Sequence, residues 1–327
     1  MDTRTSRLPK SIAGRLRIPL IVAPMLRVSG PQLVIAACAA GAIGAFPVAN
    51  ARDSKTLDKW LDRISGAAAD VVGPVAPHCP NLVMRHTSVS EHIDVLVQHR
   101  VEMVITSVGS PRPAVGPLHG VGCTVFADVA TLEHARKAID AGVDGLVLLS
   151  AGAGGHTGWM NPLAFVRAVR QFYDGPIVLG GGVSDGTALR AAEVLGADLA
   201  YMGTHFVAAT ESMAPADYRD LLVASELDDV ILTRAFSGLP ANMLRPAIIN
   251  AGLDPDRLDE TVDVATADEL FGGKRSGQGP QRWTEIYSSG HSVSGVHRIA
   301  PAADLVARIA HDYHRASMPA PSGSTEE

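Results

Sequence analysis

The stretch that most constrains the fold of this chain runs from residue 176 to residue 206. It contains a short apolar run, Pro176–Leu179, then three glycines, a segment with helical spacing, and a second apolar run that ends at Gly203. Short apolar runs without alternation suit parallel strands that are buried on both faces. Asp185 stands where a helix N-cap belongs, and Gly196 stands where a helix should end. The stretch therefore predicts a strand–helix–strand unit.

Both predicted strands of this unit end in glycine-rich turns at the same edge of a sheet. Gly180–Gly182 follow the first strand, and Gly203 and Thr204 follow the second. Loops without side chains let a ligand approach the backbone, and free helix N–H groups favour an anion. In an eight-stranded α/β barrel, a phosphate usually binds at the loops after strands seven and eight. One interpretation is a phosphate site, and the alternative is that these glycines serve only turn geometry.

Similar strand–helix units precede this stretch along the chain. Six further strands are predicted, at residues 18–23, 43–46, 71–76, 103–106, 123–127 and 145–149. Most of them are followed by a loop, an amphipathic helix and a glycine-containing return. Eight such units predict an α/β fold, with a TIM (β/α)8 barrel as first choice and a doubly wound sheet as second choice.

The remaining residues exceed what an eighth barrel helix needs. We predict that the barrel occupies residues 1–225 and that residues 226–300 form an inserted cap or lid segment near the C-terminus. Residues 301–318 are predicted to form a C-terminal helix that packs on the barrel. The segment of residues 319–327 is short, polar and rich in Pro and Ser. It is predicted to be a disordered tail.

Composition and charge limit the partners and the compartment. The net charge of −6 without a basic cluster argues against nucleic acid. Three widely spaced cysteines fit neither a disulfide framework nor a metal motif, which favours a reducing compartment. The N-terminus lacks the apolar core of a signal peptide, and Gly and Pro interrupt the apolar residues 33–49. We expect a cytoplasmic protein without a membrane partner or a metal, and we leave a homodimer open.

A loop of small residues after the sixth predicted strand carries a histidine. The Gly and Ala residues of Ser150–Gly158 leave His156 with little steric cover, and imidazole is suited to proton transfer near neutral pH. The alternative is that His156 only hydrogen-bonds the backbone. Pro24 and Met25, just past the first strand, would suit the apolar wall of a planar cofactor or plain core packing. Asn81 would hydrogen-bond a ring edge or cap a turn.

Taken together, these motifs resemble those of the nitronate monooxygenase family, formerly called 2-nitropropane dioxygenases. The matching segments are Ala23-Pro24-Met25, Pro80-Asn81-Leu82, Ala151–Gly158, Gly181-Gly182-Val183, Met202-Gly203-Thr204 and Phe236-Ser237-Gly238. Their order and spacing match over roughly residues 15–255. The resemblance implies an FMN-dependent TIM barrel that oxidises alkyl nitronates with O₂ to a carbonyl compound and nitrite.

The resemblance also implies roles for individual residues. The catalytic residue would be His156. The cofactor-binding residues would be Ala23, Pro24, Met25, Asn81, Gly155, Gly181, Gly182, Gly203 and Thr204. The chain departs from the family near its C-terminus, where Ser289–Ser294 replaces the common Ala-Gly-Gln-Gly-Val-Gly. His291 therefore stands where the family has a glutamine that contacts the flavin.

Other functions stay open at this point. An NAD(P)H:quinone or enoyl-thioester reductase would use the same flavin barrel, and NADH would then bleach its flavin rapidly without oxygen. A flavin-free isomerase or synthase would use the glycine turns for a substrate phosphate, and would be colourless. A non-catalytic binding protein is a further alternative. The absorbance spectrum of the purified protein separates most of these alternatives.

Overall fold

Short parallel strands and helices alternate along most of the chain. The computed structural model describes residues 7–272 and 280–316. The strands are β1 Leu20–Val22, β2 Ile43–Pro47, β3 His78–Val83, β4 Met103–Ser107, β5 Thr124–Val129, β6 Gly145–Leu149, β7 Gly155–His156, β8 Ile177–Gly180, β9 Leu199–Met202, β10 Val230–Thr233 and β11 Ala241–Leu244. The α-helices are α1 Lys10–Ala13, α2 Pro31–Ala39, α3 Ser54–Ala69, α4 Val89–Gln98, α5 Arg112–His119, α6 Leu132–Asp140, α7 Pro162–Val169, α8 Gly186–Leu195, α9 Thr204–Val207, α10 Ala216–Val223, α11 Arg245–Asn250, α12 Val264–Phe271 and α13 Ala302–Ala316.

Eight strands close into a parallel barrel in the order β1-β2-β3-β4-β5-β6-β8-β9. The ring closes where Leu20 of β1 pairs with Ala200 of β9. The predicted TIM barrel is thereby confirmed. The helix predicted after β8 is confirmed as well, because Asp185 accepts a hydrogen bond from the Ala188 N–H at 2.7 Å and Gly196 adopts a left-handed φ of 118°.

The third strand differs from its prediction. Residues 71–76 form bends and loop, and the strand begins at His78, which pairs with Gly44 of β2. Val72 is fully exposed, and Gly73 has a φ of 113°, a conformation that a strand does not use. The apolar character of 71–76 was therefore misleading. The shift places Asn81 inside β3 instead of in a loop after it.

The interior of the barrel is filled by apolar side chains. They come from alternate positions of the strands and include Ile21, Ile43, Ala45, Cys79, Met103, Ile105, Phe126, Val147, Val178 and Leu199. Gly145 makes room for Phe126, since a Cβ at Gly145 would lie 2.1 Å from the Phe126 ring. Ile12 of α1 packs against the same cluster and extends it beyond the strands. The space left for a ligand is therefore at the mouth, where the strands end.

A small antiparallel sheet lies outside the barrel. It has the order β10-β11-β7, so the two-residue strand after β6 joins residues from the predicted cap segment. The last helix, α13, packs against α8 and α2, and Gly186 allows it to come close, because a Cβ there would lie 2.1 Å from the Ile309 carbonyl oxygen. The division at residues 225 and 300 stays a prediction, and the predicted tail at 319–327 lies outside the described residues.

Candidate active site

The loop after β1 is held in one conformation by two side chains. Ser29 donates to the Ala23 carbonyl at 3.2 Å, and its hydroxyl accepts from the Met25 N–H at 3.0 Å. Asn50 donates to the Met25 carbonyl at 3.0 Å and to the Ser29 carbonyl at 2.8 Å. The Met25 and Ala23 side chains border Gly203, where a Cβ would lie 3.4 Å from the Met25 sulfur and 3.5 Å from the Ala23 Cβ. The structure thus brings the predicted residues after β1 and β9 together.

Gly181 and Gly182, the predicted phosphate-binding glycines after β8, play different structural parts. A Cβ at Gly181 would lie 2.6 Å from the Ser150 hydroxyl, so the protein's own packing requires that glycine. Gly182 is exposed, has a φ of 73°, and would present a Cβ to open space with no protein atom within 4 Å. Room for a ligand therefore exists at Gly182. Thr204 is buried, and its hydroxyl accepts from the Gly290 N–H at 3.0 Å.

His156 is fixed by pairing with the small sheet. Its strand β7 pairs with β11, with His156 opposite Ala241 and Gly155 opposite Asn242. The Asn242 side chain also donates to the Ala153 carbonyl at 2.7 Å, which anchors the preceding turn. The imidazole is thus carried by regular structure at the barrel mouth, where the sequence predicted a loop.

Two residues beside His156 were missed by sequence reasoning. The Trp283 ring meets the His156 ring edge-on, with centroids 5.5 Å apart and planes at 89°. Arg282 forms an ion pair with Asp268 and donates to the Phe236 carbonyl at 3.0 Å. Partial desolvation and then the positive charge of Arg282 lower the pKa of His156 below its ordinary value. The imidazole is therefore neutral near pH 7 and able to accept a proton.

A polar cluster occupies the barrel mouth between β3 and β5. Ser107 donates to the Asn81 side-chain oxygen at 3.2 Å, and the Asn81 amide donates to Asp128 Oδ2 at 3.4 Å. Desolvation raises the pKa of Asp128 to about 7, although the bond from Asn81 opposes the change. Sequence reasoning found Asn81 but neither of its partners. The alternation of β5 was the available signal, since Asp128 follows the inward-facing Phe126 by two residues.

His291 lies between the His156 loop and the glycine turns. Its N–H donates to the Gly152 carbonyl at 2.9 Å, and its ring lies 2.9 Å from where a Gly152 Cβ would be. The ring also borders a cavity of about 390 Å³. That cavity is lined further by Ser184, Asp185, His205, Ser294, Gly295, Val296, His297, Arg298, Leu305, Arg308, Ile309 and Asp312. The predicted site residues are not among them, so the cavity lies beside the predicted site.

The cysteines of the chain are unsuited to nucleophilic chemistry. Cys38, Cys79 and Cys123 are free and buried. Burial raises the pKa of Cys38 and of Cys123 to about 12, and raises that of Cys79 well above the ordinary value.

We expect native protein to react slowly with a thiol reagent such as DTNB and unfolded protein to react at all three sites. A triple Cys→Ser variant should keep its activity per bound cofactor, and fast labelling of a native thiol would contradict this expectation.

The described residues contain neither a cluster suited to a metal ion nor a helix suited to a membrane. Across residues 7–272 and 280–316, no group of three or more His, Cys, Asp or Glu side chains is arranged to hold a metal ion. Over the same ranges, no helix has the length and apolar character needed to cross a membrane.

Several known proteins are similar to this chain in sequence. A nitronate monooxygenase from Pseudomonas aeruginosa is 30% identical over 69% of this chain and 76% of its own length. A nitronate monooxygenase from Paraburkholderia phytofirmans is 29% identical over 89% of this chain and 91% of its own length. A (3aS,4S,5R,7aS)-5-hydroxy-7a-methyl-1-oxo-octahydro-1H-indene-4-carboxyl-CoA dehydrogenase from Rhodococcus jostii is 27% identical over 71% of this chain. The match spans only 64% of that relative's length.

Solved structures share the fold over almost the whole chain. FabK from Thermotoga maritima superimposes with a TM-score of 0.79 at 24% identity, covering 96% of this chain and 98% of its own. Nitroalkane oxidase from Streptomyces ansochromogenes superimposes with a TM-score of 0.78 at 24% identity, covering 94% of this chain and 99% of its own. The family model for nitronate monooxygenase matches residues 10–312, which is most of the chain. The chain belongs to the nitronate monooxygenase family.

Proposed function

We propose that this protein is an FMN-dependent enzyme that oxidises alkyl nitronates, and neutral nitroalkanes, with O₂ to a carbonyl compound and nitrite. One observation carries the proposal: a neutral imidazole, His156, stands at the same barrel mouth as the open glycine turn at Gly182. A cofactor bound through its phosphate at the turn would extend over the mouth and meet the histidine. Family membership supports the same reaction.

The residues at the mouth fit FMN in three ways. The exposed Gly182 turn leaves space for a phosphate, while Ala23 and Met25 give an apolar wall beside Gly203. Asp128 Oδ1 has no hydrogen-bond partner in the part of the chain that the structure describes, which leaves a polar site for a ring edge. The chain has no dinucleotide fingerprint after a strand, which favours FMN over FAD. When bound, the flavin supplies the electron transfer, and the protein supplies binding, orientation and proton transfer.

His156 has a defined task in this proposal. A nitronate is already an anion, whereas a neutral nitroalkane must first lose its α-proton. The neutral imidazole takes that proton, and the resulting imidazolium then stabilises the negative charge of the nitronate. The Trp283 ring contacts one side of the imidazole edge-on. The contacts that hold Arg282 also keep its positive charge near the base.

A second candidate is an NAD(P)H-dependent reductase that uses the same barrel. The name of the Rhodococcus jostii relative, a CoA-thioester dehydrogenase, favours it. Two measurements on purified protein separate the candidates. The first is the flavin absorbance spectrum, and the second compares oxygen uptake with nitronate against anaerobic bleaching by NADH or NADPH. A colourless protein that takes up no FMN would contradict both candidates.

The proposed compartment and partners follow from the same residues. The three free, buried cysteines support a cytoplasmic location, and the proposed partners are the nitronate and O₂. Gel filtration would decide between a monomer and the homodimer that the sequence left open.

The pH dependence of turnover should respond to Arg282. Its positive charge disfavours protonated His156, so removing the charge raises the pKa of His156. The protonated base is inactive, and we therefore expect Arg282→Gln to move the acidic limb of the kcat/KM profile with a neutral nitroalkane to higher pH. Arg282→Lys keeps the charge and should leave the limb in place. A limb at the wild-type pH in Arg282→Gln would show that Arg282 does not act on the base.

A further inference from the structure

Three neighbouring strands each place a polar side chain at the barrel mouth. Asn81 on β3, Ser107 on β4 and Asp128 on β5 each stand two residues beyond an apolar interior residue, namely Cys79, Ile105 and Phe126. Successive side chains on a strand face opposite sides, so all three face the inside of the barrel. They form a polar floor directly above an apolar core. The opposite side of the mouth carries the glycine turns after β8 and β9.

The hydrogen bonds of this floor leave one acceptor unused. Ser107 donates to Asn81, and Asn81 donates to Asp128 Oδ2. Asp128 Oδ1 is shielded from solvent and has no hydrogen-bond partner among the described residues. A buried polar atom that is left without a hydrogen-bond partner destabilises the folded protein. An oxygen in this state at a ligand-binding mouth indicates a donor supplied by the ligand.

The described groups around Asp128 provide no positive charge. Its titratable neighbours are Cys79 from β3 and Tyr201 from β9, and the pKa of each is raised by burial and by Asp128. Both side chains are therefore neutral at physiological pH. Desolvation also raises the pKa of Asp128 to about 7. Within residues 7–272 and 280–316 the carboxyl has no salt-bridge partner, and it can accept a hydrogen bond from a neutral N–H without one.

We infer that Asp128 Oδ1 accepts the hydrogen bond of the ring N–H on the pyrimidine edge of bound flavin, an inference that rests on the proposed function. Oxidised isoalloxazine has a single ring N–H, at N3, and its opposite benzenoid edge is apolar. In the ring of eight strands, β3 and β4 stand opposite β8 and β9. A flavin with its phosphate at Gly182 therefore reaches across the mouth toward the polar floor. Asp128 sets which edge of the ring points there.

The test removes the hydrogen-bond donor of the flavin and the acceptor of the protein separately. FMN and 3-methyl-FMN, which lacks the N3–H, are titrated by fluorescence quenching into wild-type apoprotein and into Asp128→Leu, at a pH above the pKa of Asp128 so that its carboxyl is ionised. We expect methylation to weaken binding to wild type by about 10- to 100-fold, as for the loss of a hydrogen bond to a charged group. Asp128→Leu should bind FMN more weakly by a similar factor and should not distinguish the two ligands. Ser107→Ala keeps the carboxyl and should retain the wild-type discrimination.

The outcomes separate this inference from the proposed function. If methylation costs the same in wild type and in Asp128→Leu, or costs nothing in wild type, Asp128 is not the acceptor although the flavin site stands. If wild type binds neither ligand and is colourless, the proposed function fails and the inference fails with it. If Asp128→Leu does not fold, the NMR spectrum of ¹⁵N-labelled FMN bound to wild type tests the hydrogen bond instead. A downfield N3–H resonance protected from exchange supports the assignment, and its absence overturns it.

Discussion

Replacing His156 by asparagine is expected to reduce turnover of neutral nitroalkanes by at least about 100-fold while FMN binding is retained. The side chain keeps roughly its shape but loses the base, and general base catalysis typically contributes 10²–10⁴-fold. The backbone pairing of His156 with Ala241 does not depend on the side chain, so the mouth should keep its form. Pre-formed nitronates need no deprotonation and should lose less, with a gap of at least about tenfold between the two substrate forms.

Oxygen uptake with both forms of one substrate measures this gap. His311→Asn is the matched control, because His311 is an exposed histidine on α13, and it should behave as wild type. Equal losses with both substrate forms would mean that His156 only positions the substrate. Unchanged turnover would mean that another group takes the proton. Activity with NADH and quinone but none with nitronate would contradict the proposed reaction and would still agree with the proposed flavin site.

Replacing Gly182 by valine is expected to weaken FMN binding by at least about 10- to 100-fold. Its added carbons would enter the open space where the phosphate is proposed to bind, and would displace it from backbone N–H groups. Hydrogen bonds to a charged group contribute about 1.5–3 kcal/mol each, which corresponds to this loss. Fluorescence titration of apoprotein with FMN gives the change directly.

Backbone strain must be separated from the loss of the ligand contact. Gly252→Val is the matched control, because Gly252 is also exposed, has a φ of 78° against 73° at Gly182, and has no protein atom near its Cβ position. It should lose similar stability on thermal melting and keep its FMN affinity. Affinity that is unchanged in Gly182→Val would remove this glycine from the site.

The barrel could be predicted because local signals agree with the global fold. The Asp185 cap and the Gly196 stop bound α8 as expected, and the apolar runs on either side of that helix are β8 and β9. The third strand could not be placed in the same way. The apolar residues 71–76 look more like a strand than His78–Val83 does, and only pairing with β2 decides between them.

The candidate site was predictable only where a single motif carries it. The glycine turns and His156 stand in recognisable local sequence. The surroundings of His156 arise from contacts between distant parts of the chain, because Trp283 reaches it from beyond the predicted barrel. The alternation of β5 indicates that Asp128 faces inward, but its meeting with Asn81 and Ser107 depends on the register of three strands, which one sequence does not reveal. Contacts that depend on register or on folding of distant segments leave no local trace.

The pairing of β7 with β11 has a consequence for protein engineering. His156 is hydrogen-bonded through its backbone to residues of the segment that also supplies Trp283. The position of the proposed base and the aromatic ring beside it therefore depend on the same segment. A chimera that exchanges residues 226–300 for those of a relative also replaces the support of the proposed catalytic side chain. A transplanted segment therefore has to keep a side-chain amide at position 242, since Asn242 holds the turn by donating to the backbone carbonyl of Ala153.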